Sequence, residues 1–474
     1  MAEVKCLLAE AADISRHEPA IITADRRLLY HEFEERVLFA TVHLRAAGVG
    51  RGARVAIWLE NDWRHLVLLP ALMRIGAVAA PVNMRWPEKL IVEQLSRIGC
   101  TFVIADSAPA IGGIRNLRPD ELLAFSNELP ERHVRMDLKQ PAAIVFTSGS
   151  SGTPHAALLS YGNLYYSALG SNQNLRLASH DRWLLTLPLY HVGGLGILFR
   201  CMHAGAAVAV PSAGESIEVA QGRFRSTHLS LVATQLYRLL RNEKLPDSFA
   251  CVKAVLLGGS AASSALLAAA RQRHLPVFSS YGLTEMASQV ATMRPDSPPE
   301  KRETSGRLLR NRDLIIADDG EILVCGDTLF LGYVGPEGVR DARDKNGWFH
   351  TGDIGSLDAE GYLTVRGRKD FMFISGGENI HPEGIEDAIA RLGGIEQSLV
   401  VPVADPEFGS RPAAFLRADG ALPSAKTLAA RLGEWLPKFK IPVAYFPWPE
   451  EFSGHLKPDR LRAADIAAQK MRAA

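Results

Sequence analysis

The 474-residue sequence has few cysteines and almost no excess of charge of either sign. Its five cysteines are scattered, and no pair has the spacing of a metal site or a redox motif, so we expect buried, reduced thiols. A formal net charge of +1 gives no electrostatic basis for binding nucleic acid or an anionic membrane surface. These absences argue against a disulfide-stabilised secreted protein and against a nucleic-acid partner.

Long apolar runs are absent as well. The most apolar early stretch, residues 66–82, is interrupted by Arg74 and is too short to span a bilayer. Residues 1–19 carry acidic side chains inside their short apolar stretch, unlike a secretory signal. We therefore expect a cytoplasmic protein that does not enter a membrane, and its length predicts two or three domains. The sequence leaves a homo-oligomer open.

Apolar segments alternate with amphipathic ones through the first three quarters of the chain. The apolar segments, each bounded by Gly, Pro, Ser or Asp, predict buried strands at residues 55–60, 77–83, 101–106, 142–148, 207–212, 229–234 and 253–259. Helical patterns such as residues 27–48 and 89–99 lie between several of them and end at glycine. Strands alternating with helices predict an α/β protein of layered, parallel βαβ units.

The pattern changes after about residue 305. Short strands separated by Asp-Gly and Glu-Gly turns predict antiparallel hairpins, and hence a small β-rich subdomain. From His381 onward, helices and strands predict a small α+β domain. We place the boundary so that a large domain covers residues 1–368 and a small one covers residues 369–474.

A loop of hydroxyl side chains and glycines follows the predicted strand at residues 142–146. It consists of Thr147, Ser148, Gly149, Ser150, Ser151 and Gly152. Glycines let the backbone approach a polyphosphate closely, and amides and hydroxyls supply donors to its oxygens. The loop lacks the ending of a Walker motif, and an ordinary Ser/Gly-rich loop is the alternative.

A second motif, residues 281–285, places Thr284 beside Glu285. A hydroxyl beside a carboxylate can hold a phosphate oxygen and a Mg²⁺ ion together. The alternative is that Thr284 caps the N-terminus of a helix. Taken alone, the motif favours the helix cap.

A third motif centres on Asp353 and is followed by Arg368 and Asp370. A buried Asp can accept hydrogen bonds from both ribose hydroxyls, and a nearby Arg adds charge that holds a nucleotide. The alternative is a hairpin turn with Asp at its corner. Near the C-terminus, Lys457 taken alone would be a solvated surface group.

These motifs, in this order, resemble those of the adenylate-forming superfamily of acyl-CoA synthetases, luciferases and peptide-synthetase adenylation domains, over roughly residues 15–465. The resemblance implies a two-step reaction in which a carboxylic acid is joined to AMP and the acyl group then passes to coenzyme A. ATP and Mg²⁺ are the implied nucleotide and metal. The residues 147–152 would hold the β- and γ-phosphates, Thr284 the α-phosphate, and Glu285 the Mg²⁺ ion.

The resemblance also assigns the remaining nucleotide contacts. Asp353 and Arg368 match the residues that hold the ribose, and Asp370 matches the hinge about which the small domain rotates between half-reactions. Five further residues match the rest of the nucleotide site: Gly258, Gly259, Ser260, Tyr281 and Gly282. The first three also match the lining of the acyl pocket.

Two positions depart from the family pattern. The family reads Gly-Lys-x-x-Arg near its C-terminus, whereas here two residues separate Gly454 from the Lys457-x-x-Arg460 spacing. We assign Lys457, rather than His455, as the catalytic cation that bridges carboxylate and phosphate. His155 stands where the phosphate loop usually continues with Lys, which weakens the positive charge beside the pyrophosphate.

Residues 183–200 are informative about the acid. Together with residues 233–240 and 401–412 they resemble the o-succinylbenzoate–CoA ligases of menaquinone biosynthesis, and the short chain agrees with that branch. The implied substrate has an aromatic body and two carboxylates, one of which needs a cationic or polar anchor. Candidate anchors are Arg200 and Gln235, although Arg200 equally fits a cation on a helix surface. His191 is expected to gate the reacting carboxylate.

An aryl ring would suit an apolar lining of Leu195, Gly258 and Tyr281. Three alternatives stay open. One is an aryl or medium-chain acyl-CoA ligase, and another is a stand-alone adenylation domain that charges a carrier protein. The third is a degenerate binding protein, which only His155 and the displaced Lys457 suggest.

Overall fold

The computed structural model describes residues 3–107, 109, 111–125, 132, 135–147, 154–241, 245–259, 262–375, 378–406, 408–418, 420–434, 436–452 and 458–473. The helices in these residues are α1 (Leu7–Ile14), α2 (Tyr30–Ala46), α3 (Trp63–Arg74), α4 (Glu88–Arg97), α5 (Pro119–Leu122), α6 (Tyr161–Leu175), α7 (Val192–Ala204), α8 (Ile217–Phe224), α9 (Ala233–Leu240), α10 (Ser264–Gln272), α11 (Pro382–Ala390), α12 (Ala425–Leu432) and α13 (Arg460–Ala473).

The strands of the first three quarters are β1 (Glu3–Lys5), β2 (Pro19–Ile22), β3 (Arg27–Leu29), β4 (Arg54–Trp58), β5 (Val78–Pro81), β6 (Phe102–Ala105), β7 (Arg115–Leu117), β8 (Arg135–Asp137), β9 (Pro141–Thr147), β10 (His155–Ser160), β11 (Arg182–Leu184), β12 (Ala207–Ala209), β13 (His228–Leu231), β14 (Ala254–Leu257), β15 (Val277–Leu283), β16 (Ser288–Thr292) and β17 (Arg307–Leu308). The later strands are β18 (Asp313–Ile316), β19 (Glu321–Cys325), β20 (Gly332–Gly335), β21 (Gly338–Arg340), β22 (Phe349–Leu357), β23 (Leu363–Arg368), β24 (Phe373–Ser375), β25 (Glu378–Ile380), β26 (Ile395–Asp405), β27 (Gly409–Ala418) and β28 (Ala444–Pro447).

Two large sheets carry the first three quarters of the chain. One has eight strands in the order β21-β20-β10-β9-β5-β4-β6-β7, and the other has nine in the order β17-β16-β15-β14-β13-β11-β12-β2-β3. All seven predicted strands are confirmed, as β4, β5, β6, β9, β12, β13 and β14. The predicted α/β class is therefore confirmed, although antiparallel strands at the sheet edges make both sheets mixed.

The central strands are buried on both faces. Val55 and Ile57 of β4 belong to the largest hydrophobic core, whereas Ala56 between them packs into a second core. On β14, Leu256 likewise belongs to the largest core and Leu257 to a third. Successive side chains of a strand point to opposite faces, so these alternations place helices against both faces of each sheet.

The predicted antiparallel region forms a four-stranded sheet in the order β18-β19-β22-β23. Its register places Asp353 of β22 directly opposite Arg368 of β23. The sheet therefore brings together two residues that the sequence predicted to share one site. Within the described ranges, no helix combines the length and the apolar composition needed to cross a membrane.

The last hundred residues have a sheet of their own, β26-β27-β28, flanked by α11, α12 and α13. The buried residues of its two hydrophobic cores all come from Ile380 or later. A salt bridge of 2.7 Å joins Arg241 beyond α9 to Glu396 of β26. The domain boundary after residue 368 stays a prediction.

Candidate active site

A tyrosine, an aspartate and an arginine from three strands form the centre of the candidate site. The hydroxyl of Tyr281 donates a hydrogen bond of 2.6 Å to Asp353 Oδ2. Arg368 Nη1 lies 3.3 Å from Asp353 Oδ1 and donates at 2.6 Å to the Thr351 carbonyl. Its Nη2 donates to Asp370 Oδ2 at 2.9 Å. The predicted nucleotide and hinge residues thus converge in one cluster.

Local backbone geometry explains why these side chains meet. A bulge between Tyr281 and Gly282 turns the end of β15, where the strand approaches β16 very closely. A Cβ at Gly282 would lie 2.0 Å from the Ser288 carbonyl oxygen, so only glycine fits there. Gly352, with φ of +70°, occupies the left-handed region just before Asp353.

Burial and charge shape the ionisation of the cluster. Burial and the neighbouring Asp353 carboxylate raise the pKa of Tyr281 well above its usual value. Burial lowers the pKa of Arg368, but the Asp353 and Asp370 carboxylates outweigh it and raise the pKa overall. Tyr281 is therefore a neutral donor and Arg368 a permanent cation at neutral pH.

Glu285 lies in the turn between the paired strands β15 and β16 and is buried. The hydroxyl of Tyr333 donates to its Oε1 at 2.7 Å, and the Phe330 amide donates to its backbone carbonyl at 2.8 Å. Thr284 begins a three-residue 3-10 helix, Thr284–Met286, so it caps no α-helix. The alternative of a helix cap at Thr284 is therefore wrong.

This donor set fits magnesium bound together with a nucleotide. The described residues contain no group of three or more His, Cys, Asp or Glu that could enclose a metal ion. Magnesium is usually held by one or two carboxylates together with substrate phosphates and water rather than by a protein cage. Of the two carboxylate oxygens of Glu285, only Oε1 accepts a hydrogen bond within the described part of the chain, and its donor is Tyr333. Glu285 can thus offer its other oxygen, Oε2, to the ion.

The predicted phosphate loop joins the end of β9 to the start of β10. Thr147 ends β9 directly opposite His155, the first residue of β10. The His155 ring packs against Tyr333, with 5.2 Å between ring centroids. The other predicted loop residues, Ser148, Gly149, Ser150, Ser151 and Gly152, lie outside the described residues. His155, which pairs with Thr147, therefore contacts Tyr333, and Tyr333 in turn binds Glu285.

The glycines predicted to line the pocket follow β14. A Cβ at Gly258 would lie 3.0 Å from the Ser280 hydroxyl, and Gly259 has a positive φ of +84°. Ser280 donates to the Leu257 carbonyl at 3.2 Å, which ties this turn to β15. Ser260 lies outside the described residues.

The residues predicted to bind the acid lie at the start of α7, within α7 and in the first turn of α9. His191 is the N-cap residue of α7, and its ring packs edge-on against Tyr190 at 4.7 Å. Gln235 accepts from the Val232 amide at 3.1 Å and donates to the Thr186 carbonyl at 3.3 Å. Gln235 therefore fixes local backbone, and its role as a substrate anchor stays a prediction. Leu195 of α7 is fully buried.

Arg200 is the most unusual charged residue of the site. Its side chain is 1% exposed, so the alternative of a helix-surface cation is wrong. Its guanidinium lies over the Trp183 ring at 5.1 Å, and Nη2 donates to Ser288 Oγ at 3.1 Å. Nε and Nη1 have no hydrogen-bond partner among the described residues. Burial lowers its pKa to about 10, so it remains charged at neutral pH.

A second buried arginine, Arg312, supports the backbone next to Arg200. It donates to the Gln289 carbonyl at 2.6 Å and to the Arg310 carbonyl at 2.5 Å. The adjoining residues Ala287 and Ser288 have positive φ angles of 52° and 116°, which are costly for non-glycine residues. The hydroxyl of Ser167 donates to the Ala287 carbonyl at 2.7 Å. This network holds the strained corner that presents Ser288 to Arg200.

Sequence reasoning missed Tyr333 and Ser288. Each is a single polar residue in a strand, and neither stands in a spacing that indicates chemistry. The predicted catalytic residue Lys457 lies outside the described residues.

Comparisons with protein families and with individual proteins point to the same group of enzymes. The family described as AMP-binding enzyme matches residues 8–334. The chain is 33% identical to the 2-succinylbenzoate–CoA ligase of Listeria monocytogenes over 88% of this chain and 90% of that protein. It is 34% identical to the ligase of the same name from Geobacillus kaustophilus, over 93% of both.

Solved structures that are similar to this chain include members of the same group of ligases. An o-succinylbenzoate CoA synthetase from Bacillus subtilis in complex with its acyl-adenylate intermediate has a TM-score of 0.88, with 30% identity over 98% of both chains. The Bacillus subtilis synthetase in complex with ATP and magnesium ion has a TM-score of 0.85, with 31% identity over 94% of this chain and 96% of that one.

Proposed function

This chain belongs to the AMP-binding enzyme family, and from that premise we propose that it is an ATP-dependent o-succinylbenzoate–CoA ligase of menaquinone biosynthesis. One observation carries the proposal. Tyr281 and Arg368 both contact the Asp353 carboxylate in a chain that is similar to o-succinylbenzoate–CoA ligases over about nine-tenths of its length. ATP, Mg²⁺ and coenzyme A are its implied co-substrates and metal.

In the first half-reaction the acid carboxylate attacks the α-phosphorus of ATP, an acyl–O–P bond forms, and pyrophosphate leaves. Asp353 would hold the ribose hydroxyls, and Thr284 would contact the α-phosphate. Glu285 would hold Mg²⁺, which would supply positive charge beside the phosphates. Lys457 would bridge the carboxylate and the phosphate, because two anions must approach each other. Catalysis thus consists mainly of positioning and charge neutralisation.

In the second half-reaction the coenzyme A sulfur attacks the acyl carbonyl carbon. A C–S bond forms, the bond from carbon to the AMP oxygen breaks, and the thiol proton is released to solvent. We assign Asp370 as the hinge between the two half-reactions. The salt bridge from Arg368 to Asp370, at 2.9 Å, joins the ribose-binding cluster to that hinge.

The second carboxylate of the acid would be bound by Arg200. Its Nε and Nη1 atoms have no hydrogen-bond partner among the described residues and lie in a buried environment, where a charge-assisted hydrogen bond is strong. Gln235 is the weaker candidate anchor because its amide already binds the backbone at both ends. His191 would gate the reacting carboxylate, and Leu195, Gly258 and Tyr281 would line the space for the aryl ring.

A single-turnover experiment tests the proposal. Protein mixed with ATP, Mg²⁺ and o-succinylbenzoate should release about one pyrophosphate per site and retain the acyl-adenylate. Adding coenzyme A should then release AMP and o-succinylbenzoyl-CoA. A carrier protein with a phosphopantetheine arm, added in competition, should receive little acyl group. Transfer mainly to the carrier would instead identify a stand-alone adenylation domain, and a burst only with benzoates or fatty acids would identify an aryl or medium-chain ligase.

A further inference from the structure

Tyr333 of β20 lies next to the candidate magnesium site, and the proposed mechanism assigns it no role. Its hydroxyl donates a hydrogen bond of 2.7 Å to Oε1 of Glu285. The two residues are 48 positions apart in sequence, so the contact depends on the tertiary fold. The Glu285 backbone is fixed as well, because its carbonyl accepts from the Phe330 amide.

The register of the sheet explains how Tyr333 reaches Glu285. Strand β20 lies between β10 and β21, with Tyr333 opposite Ala157 on one side and Arg340 on the other. His155 is two residues before Ala157 on β10 and therefore projects from the same face. The Tyr333 side chain consequently lies on the face that carries the end of the phosphate loop.

Three neighbours hold the Tyr333 ring in place. The Phe330 ring packs edge-on at 4.8 Å, and the His155 ring lies at 5.2 Å. The Arg340 guanidinium lies over the Tyr333 ring at 5.6 Å from its centroid. A ring held on three sides has little rotamer freedom left, so its hydroxyl is pre-organised toward Glu285.

The Tyr333 hydroxyl is an uncharged donor. Glu285 therefore receives a hydrogen bond from it without an added charge.

We propose that Tyr333 is a positioning residue for magnesium: it holds Glu285 by Oε1, so that Oε2 is presented to the ion. The inference rests on the proposed function, in which Glu285 binds the Mg²⁺ that accompanies ATP. A carboxylate free to rotate would have to be ordered when the ion binds, which weakens binding. Because the Tyr333 ring also contacts His155, the metal ligand is held relative to the end of the phosphate loop.

ATP binding measured by calorimetry in excess EDTA and in saturating Mg²⁺, without any acid, tests the inference with no turnover. The magnesium effect is the ratio of the two dissociation constants. A hydrogen bond to a charged group accounts for about tenfold or more in an equilibrium constant. Tyr333→Phe should therefore reduce the magnesium effect by about tenfold, and metal-free ATP should bind as it does to the parent protein.

Two further variants separate the possible causes. Tyr30→Phe removes a more deeply buried hydroxyl that, among the described residues, binds only the Cys201 and Ala206 carbonyls, and it should leave the magnesium effect unchanged. Arg340→Gln loosens the ring from an exposed position without removing the hydroxyl, and it should reduce the effect by a smaller factor. This variant keeps the test available if Tyr333→Phe fails to fold.

Glu285→Gln distinguishes failure of this inference from failure of the proposed function. If Glu285→Gln abolishes the magnesium effect while Tyr333→Phe and Arg340→Gln leave it intact, Tyr333 does not position the ligand. If Glu285→Gln also leaves it intact, Glu285 does not bind the ion and the metal assignment itself is wrong. Equal weakening of ATP binding with and without Mg²⁺ in Tyr333→Phe would show a merely structural role and overturn the inference.

Discussion

The hydroxyl of Tyr281 lies 2.6 Å from Oδ2 of Asp353, which is 72 residues further along the chain. Arg368 approaches the other oxygen of the same carboxylate at 3.3 Å. Each carboxylate oxygen has more than one acceptor site, so both oxygens can still accept hydrogen bonds from a ribose. The protein side of the contact is thus fixed before the nucleotide arrives.

Loss of the Tyr281 hydroxyl should weaken ATP binding. Tyr281→Phe keeps the buried ring but leaves Asp353 held from one side only, so we expect the KM for ATP to rise by about tenfold. Asp353→Asn should cost more, because its amide N–H₂ cannot accept from the ribose and is repelled by Arg368. Steady-state pyrophosphate release against ATP concentration measures both effects. Equal KM values in both variants and the parent would remove this cluster from the nucleotide site.

Arg200 should lower the stability of the protein. Its guanidinium is buried, and two of its nitrogens have no hydrogen-bond partner within the described ranges, so Arg200→Met should raise the free energy of unfolding by about 1–3 kcal/mol. Arg74 is the matched control, because it is equally buried but pairs with Glu34 at 2.5 Å. Arg74→Met should destabilise by about 3–5 kcal/mol, since it weakens the compensation of a buried carboxylate. Urea unfolding measures both, and destabilisation by both variants would contradict the assignment of Arg200 as a charge kept for ligand binding.

Arg200 should also select dicarboxylic acids. Arg200→Ala should raise the KM for o-succinylbenzoate by at least about tenfold, the value of one charge-assisted hydrogen bond. The KM for benzoate, which has no second carboxylate, should change little. Parallel kinetics with the two acids measure the difference. Equal changes for both acids would show that Arg200 is not the anchor.

Lys457 should act in only one half-reaction. Lys457→Ala should abolish adenylate formation, because the cation that joins carboxylate and phosphate is lost. Thioester formation from pre-made acyl-adenylate and coenzyme A should remain close to the parent rate. Rapid-quench assays of each half-reaction measure this, and an equal loss in both steps would argue against the assignment.

Asp387 of α11 should make stability depend on pH. Burial raises its pKa to about 6, with Glu386 and Glu303 adding to the shift and Arg391 opposing it. Because the folded state binds the proton more tightly, stability falls as pH rises from about 4, the ordinary value, to about 6. Asp387→Asn should therefore be more stable than the parent by about 1–2 kcal/mol at pH 8. Thermal unfolding at pH 4 to 8 should show that this difference disappears toward pH 4, and a constant difference would contradict it.

The positions of the strands and of the nucleotide cluster could be predicted from local sequence. Runs such as residues 77–83 and 253–259 are mostly apolar and have glycine at or next to one end, and both contain strands. The cluster of Asp353 and Arg368 followed from motifs, because the antiparallel hairpin that carries them places them directly opposite.

Long-range contacts could not be predicted in the same way. Whether Arg200 is buried or exposed depends on the packing of α7 against Trp183, which the periodicity of α7 does not show. Gln235 has the composition of a polar anchor, yet its side chain caps its own helix. Tyr333 reaches Glu285 only because β20 pairs with β10, and a strand register between distant segments leaves no local pattern in the sequence.

The most direct test of the account is the ratio of kcat/KM values for thioester formation with o-succinylbenzoate, substituted benzoates and C4 to C12 fatty acids, each with ATP, Mg²⁺ and coenzyme A. The account predicts that o-succinylbenzoate has the highest kcat/KM, by at least about tenfold over benzoate, because only it can use Arg200. A higher kcat/KM for a monocarboxylic acid, or no pyrophosphate release with any acid, would contradict it.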